Sequence, residues 1–310
     1  MPQRSWQCEH YGHHEGEIVA VSGDYDVIEC RICGFRHIVP LPAPEKQKAF
    51  YEEEFYQAEK AQYLNEADED FDWKRAELKL RFSIADQLLK AGKKRLLDIG
   101  SGPGDFLAVG QALGWETIGV EPSRVACEHA RSRGVEVRHG FFDAEMANEL
   151  GAFDFIHMSE VLEHVAEPKK LLALAVSLLK PGGVICVSTP NDFNPMQKTV
   201  VDRFAKDNWW VVPDHHLNYF NFDSLTDLIT SAGCEVKQRL TNFPMELFLL
   251  MGQDYTSQQE LGRQLHGWRK SLDLNLASME DGTMRGFYEG LANAGFGRLA
   301  IIFAQKPGKR

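Results

Sequence analysis

Between residues 95 and 190, short apolar runs rich in β-branched residues alternate with amphipathic stretches. The runs are RLLDIG, ETIGVEP, VEVRHG, FDFIHM and GVICVSTP, and the stretches between them are 105–113, 123–132, 144–149 and 168–179. This alternation predicts an α/β fold with a parallel sheet covered on both faces. KPGG at 180–183 ends the fourth helix and turns the chain into the fifth strand. After 190 the rhythm loosens. FNFDSLTDLITSAG, 220–233, predicts a helix with a Ser or Asp cap, followed by a strand near 235–241. Residues 245–293 are mostly helical in pattern, with MELFLLMG and RGFYEGLANAG apolar at i, i+3, i+4 spacing, and GRLAIIFAQKP, 297–307, is a last strand. Residues 1–44 are rich in His, Cys and Gly and end in PLPAP, a stiff extended linker. The expected division is a Cys/His module at 1–44, a charged helical linker at 45–90, a ligand-binding core at 91–242, a helical cap or dimerisation insertion at 243–296, and the last core strand and tail at 297–310.

Composition narrows the partners. The 310 residues carry a net charge of -11, which disfavours nucleic acid as a partner. No run approaches the roughly 20 apolar residues of a spanning helix, so no membrane is expected. MPQRSW lacks the apolar stretch of a signal peptide, and the expected location is cytoplasmic. Cys127, Cys186 and Cys234 sit in apolar or helical segments and read as small buried hydrophobes.

The candidate chemistry begins with LLDIGSGPGDF, 96–106. Its glycines at 100, 102 and 104 follow a strand and precede a helix, where a ligand sits in such sheets. A dinucleotide fingerprint would require a third glycine at 105, and that residue is Asp105. Pro103 removes a backbone donor, and Asp98 would repel a pyrophosphate. No G-K-[ST] follows, which excludes a P-loop. The loop therefore suits a nucleoside without phosphate that bears a cationic group. Glu121, closing the second strand, can accept both hydroxyls of a ribose.

Together with GVEPS, FDFIHMSEVLEHV and LLKPGGVICVSTP, this loop resembles the class I S-adenosylmethionine-dependent methyltransferases. The resemblance covers roughly 91–240 and implies a doubly wound, seven-stranded Rossmann-like sheet with an antiparallel last strand. It implies S-adenosylmethionine as cofactor. Asp98, Gly100, Ser101, Gly102 and Gly104 would lie along its methionine part, Glu121 at the ribose, Phe142 and Asp143 at the adenine, and Ser159 beside them. The acceptor is expected to be a small polar metabolite, with a nucleotide-linked sugar or glycan precursor as first guess. Alternatives are an RNA methyltransferase and a non-catalytic cofactor-binding or zinc interaction protein.

SEVLEHV, 159–165, read as a helix, spaces Glu160 and His164 at i, i+4. Its Glu-x-x-Glu-His set resembles the ubiquinone-pathway O-methyltransferases, where it could ligate a divalent metal; an ion-paired helix start is the competing reading. PDHHLNYF, 213–220, resembles a stretch of methyltransferases that act on sugars. His216 is its candidate base, with Tyr219 or His164 beside it. At the N-terminus, CRICGFRH has the Cys-x-x-Cys-Gly form of a zinc knuckle. Cys30, Cys33 and Cys8 are three candidate ligands for a structural zinc. The fourth falls to His10, His13, His14 or His37, with His10 taken first. Such ribbons precede the catalytic domain in several sugar-modifying methyltransferases. A homodimer is kept open by the apolar MELFLLM segment.

Overall fold

The computed structural model describes residues 2–8, 11–43, 70–92, 94–280 and 282–308. His10 and residues 44–69, with the expected module boundary and the first part of the helical linker, lie outside the described residues. The chain opens with four strands: β1 (Gln3–Cys8), β2 (Gly12–Ser22), β3 (Tyr25–Cys30) and β4 (Arg36–Val39). Helix α1 (Phe71–Leu88) leads into the alternating section. This comprises β5 (Arg95–Ile99), α2 (Asp105–Ala112), β6 (Glu116–Glu121), α3 (Arg124–Ser132), β7 (Val137–His139) and α4 (Ala144–Leu150). It continues with β8 (Phe153–Ser159), a 3-10 turn (Leu162–His164), α5 (Pro168–Ser177) and β9 (Leu179–Pro190). Then come α6 (Pro195–Phe204), β10 (Asn218–Tyr219), α7 (Phe222–Ser231) and β11 (Glu235–Leu240). The last elements are α8 (Glu246–Leu250), α9 (Gln259–Ser278), α10 (Thr283–Asn293) and β12 (Leu299–Gln305).

Seven strands form one sheet in the order β11-β12-β9-β8-β5-β6-β7. Strands β5 to β9 run parallel, and β12 is antiparallel to both β9 and β11. The continuous apolar runs make sense here, because both faces are covered. Along β12, Ala300, Ile302 and Ala304 join the core under α5 and α7, while Leu299, Ile301 and Phe303 join the core under α1 and α2. Helix α6 was not anticipated, although NPMQ spells its start. Asn194 caps it, Pro195 opens it, and Gln197 closes a capping box. Helix α7 is capped by Asn221, not by Ser or Asp, because that side chain accepts from the Asp223 and Ser224 amides. Helix α8 buries Phe248 and Leu249 in the chain's own core.

The N-terminal strands form a second, antiparallel sheet in the order β1-β2-β3-β4-β10. Its fifth strand comes from far downstream, with Asn218 opposite His37 and Tyr219 opposite Arg36. The Phe35 ring lies 5.0 Å from that of Phe220 and belongs to the core of the large sheet.

Candidate functional site

A cavity of about 640 Å³ opens at the C-terminal ends of β5, β6 and β8 and extends between α1 and α9. The glycine loop forms its floor. Gly100 has φ 71°, and a Cβ there would stand 2.6 Å from Val161 Cγ2. Only glycine lets the loop lie this close to the segment after β8. Glu121 is aimed at the loop by two backbone donors. Its Oε2 accepts from Gly102 N at 2.9 Å and its Oε1 from Ser123 N at 2.9 Å. These bonds fix the carboxylate as a buried, oriented acceptor in the cavity wall.

Asp98 carries a chain of polar contacts that sequence reasoning missed. In the parallel register Asp98 lies beside His157, and His157 Nδ1 is 2.7 Å from Asp98 Oδ1. Arg81 Nη1 lies 2.9 Å from His157 Nε2, and Arg81 Nη2 donates to Glu77 at 2.7 Å. Burial pushes the His157 imidazole down, against the pull of Asp98. The neutral ring therefore donates from Nδ1 to Asp98 and accepts from Arg81 at Nε2. The ring also stacks on Phe106 at 3.7 Å. The available signal was one histidine in FDFIHM, a strand whose other polar residue in that run is Asp154 at its start.

Of the residues expected at the cofactor, Asp98, Gly100, Ser101, Gly102, Glu121, Phe142 and Ser159 line this cavity together. Gly104 lies behind the lining, in left-handed conformation at the N-cap of α2 and packed toward Ala130 and Val135. Asp143 does not face the cavity. It is exposed and spends its carboxylate capping α4, accepting from Met146 N.

The acceptor side differs more from expectation. Residues 159–165 are not an α-helix. Glu160 has φ 54° and only Leu162–His164 form a 3-10 turn, so the i, i+4 relation of Glu160 and His164 is lost. Glu160 and His164 line the cavity, whereas Glu163 points into the protein, 1% exposed. Glu163, His164 and His216 instead bring one ligand atom each within 4.8 Å. His164 Nδ1 lies 2.8 Å from the His215 carbonyl oxygen, which makes Nδ1 a protonated nitrogen, and its Nε2 lies 3.9 Å from Glu163 Oε1. His216 stands behind His164, ring centroids 5.0 Å apart, and does not line the cavity. Tyr219 is fully buried in the core of the small sheet, because β10 pairs with β4. Trp73, which no motif had marked, and Arg269, from the helical segment expected to cap the pocket, close the α1–α9 end.

In the small sheet, His14, Cys30, Cys33 and His37 converge, with one ligand atom from each within 4.8 Å. Cys8 is not among them. It pairs with Gly12 at the far end of β1, whereas His14 pairs with Trp6, two residues or roughly 7 Å back along the strand. His14 Nδ1 lies 3.1 Å from His37 Nε2, 3.4 Å from Cys33 Sγ and 3.9 Å from Cys30 Sγ. The outer ring nitrogens face carbonyls: His14 Nε2 that of Tyr11 at 3.2 Å, and His37 Nδ1 that of Ile38 at 2.8 Å. Each must donate there, so two lone pairs face one another across the cluster. That arrangement is repulsive without a cation and matches a tetrahedral zinc site with backbone-oriented histidines.

The cluster and the cavity are joined by hydrogen bonds. Beyond the His37–Asn218 pairing, Leu217 N donates to the Glu163 carbonyl at 2.8 Å. Asn218 Nδ2 donates to the carbonyls of Leu162 at 2.9 Å and Val165 at 2.7 Å. These bonds flank His164 on both sides.

The chain matches the family described as "Methyltransferase domain" over residues 73–239. It is 35% identical over 153 residues to the ubiquinone biosynthesis O-methyltransferase of Ruegeria pomeroyi, covering 47% of this chain and 61% of that protein. Similarity to the same-named protein of Cereibacter sphaeroides is 35% over 155 residues, covering 47% and 62%. The chain thus spans about three fifths of the length of these curated relatives. Among solved structures, the plantazolicin methyltransferase BpumL in complex with SAH is 16% identical, with a TM-score of 0.51 over 85% of this chain and 96% of that one. This last likeness is one of fold.

Proposed function

Because the chain belongs to the class I S-adenosylmethionine-dependent methyltransferases, we propose that it methylates a small polar metabolite held between the glycine loop and helices α1 and α9. The observation that carries this reading is the single cavity lined at one end by Asp98, Gly100, Glu121 and Phe142 and in its wall by His164. The residues fit the cofactor: Glu121 is pre-oriented for a diol, Gly100 leaves room where a side chain would stand, and Asp98 is an anion suited to an ammonium group. When bound, S-adenosylmethionine supplies an electrophilic methyl group on a sulfonium sulfur. Phe142 would lie against the adenine. His164 Nε2 takes the proton of the acceptor hydroxyl, and His216 holds the ring from behind, a positioning residue. The names of the similar curated proteins favour oxygen as the methylated atom. A nucleotide-linked sugar or glycan precursor is the first acceptor class to try. The His14–Cys30–Cys33–His37 cluster would hold a structural zinc.

The test is transfer of labelled methyl from the cofactor into a nuclease-treated small-molecule extract, with purified RNA in parallel. Label should enter the small-molecule fraction. Label in RNA alone would overturn the reading.

A further inference from the structure

The charged side chains at the α1–α9 end of the cavity are unevenly matched. Asp70 accepts from Lys270 at 2.7 Å and faces His266 at 3.3 Å, and Arg81 is held by Glu77. Arg269 is held more loosely, by an ion pair with Asp273. It is 3% exposed, lines the cavity, and its Nε makes no hydrogen bond among the described residues. Its guanidinium lies 4.8 Å from the centre of the Trp73 ring. Its nearest carboxylate is Asp273, 3.8 Å from Nε, which already accepts from Trp73 Nε1 at 2.8 Å and from Tyr288 Oη, and Glu77, bonded to Arg81, also acts on it. Arg298 lines the same cavity at an exposed position, and the buried carboxyl groups of Asp192 and Glu246 lie within its field. A buried guanidinium whose neighbouring carboxylate already accepts two other hydrogen bonds is costly, and a second arginine nearby adds to the cost.

Resting on the methyl-transfer reading above, we infer that the acceptor carries an anionic group, a carboxylate or a phosphate, and that Arg269 and Arg298 receive it. The guanidinium fork matches either oxyanion with two parallel hydrogen bonds. Trp73 holds the Arg269 plane and offers an apolar wall to the rest of the acceptor. The site is set apart from the cofactor loop. Trp73 lies two helical turns, about 12 Å, along α1 from Arg81, the residue that reaches Asp98 through His157. The anion would therefore anchor the acceptor at one end and leave its reacting hydroxyl free to approach His164.

The experiment separates the labelled product of the extract reaction on an anion exchanger at neutral pH. It then titrates the acceptor-containing fraction against wild type, Arg269→Gln and Arg298→Gln. The product should be retained and elute with salt. Arg269→Gln should raise the apparent KM roughly 10- to 100-fold, the loss of hydrogen bonds to a charged group, with affinity for S-adenosylhomocysteine unchanged. Arg298→Gln, at an exposed position, should raise it less, and carries the test if Arg269→Gln does not fold. A product that flows through, or wild-type KM in the folded variants, overturns the inference. Lost S-adenosylhomocysteine affinity would assign the arginines to the cofactor and overturn it too. A wild type that binds S-adenosylhomocysteine but labels nothing brings down the methyl-transfer reading itself.

Discussion

The two sheets solve the same problem with different means. The large sheet buries apolar side chains on both faces, and its two cores draw on nearly every helix around it. The small sheet has short apolar clusters, and one of them takes Val211, Leu217 and Tyr219 from the catalytic half of the chain. It adds a two-His, two-Cys cluster and a borrowed strand. Burial grows with size, so a sheet of this size needs a staple or a neighbour. This one has a neighbour, the wall of the cavity, and the proposed zinc would be its staple.

The comparison breaks most sharply at the cluster. Structural zinc contributes on the order of 10 kcal/mol to small folds. Protein purified without added metal should carry one zinc per chain by elemental analysis. Cys30→Ser should abolish it, lower the melting temperature and reduce turnover, because β10 and the His164 turn hang from the same sheet. A variant without zinc but with wild-type turnover would show the two sheets to be independent. His164→Ala tests the shared turn next. Turnover should fall roughly 100- to 10,000-fold with melting temperature and cofactor affinity kept. His216→Ala should fall less, and a larger loss there would return the base to His216. Glu121→Ala concerns the large sheet alone. Calorimetry should show cofactor affinity weakened by about 1–3 kcal/mol, without change in zinc content. The smallest effect belongs to Tyr219→Phe. With the ring retained in the small core, turnover should stay within about threefold of wild type, below any general-base contribution.

The large sheet was legible because its signals are local. Each strand–helix pair carries its own apolar period, and the loop from Asp98 to Gly104 follows from one turn and its neighbours. Asp143 is spent differently from expectation, since capping α4 competes with facing the cavity. The small sheet depends on pairings distant in sequence. That His14 and not Cys8 meets the Cys-x-x-Cys pair follows from the β1–β2 register, and a one-residue slip would move every side chain to the other face. Tyr219 reads as a site residue because PDHHLNYF follows the fifth strand and places it three residues from His216; the pairing with β4 turns it inward. Arg269 was visible in GRQLHGWRKSL, but only the packing of α9 against α1 brings it over Trp73.

The borrowed strand also sets a timetable. On the ribosome β1 to β4 are made well before β10, and the edge of β4 stays unpaired until residues 218–219 have emerged. Closing that ladder spans more than half of the chain, a contact of high sequence separation and therefore slow to form. Until then β4 presents an open edge, able to pair with the same edge of another nascent copy. A sheet begun ahead of the catalytic half is thus completed only through it.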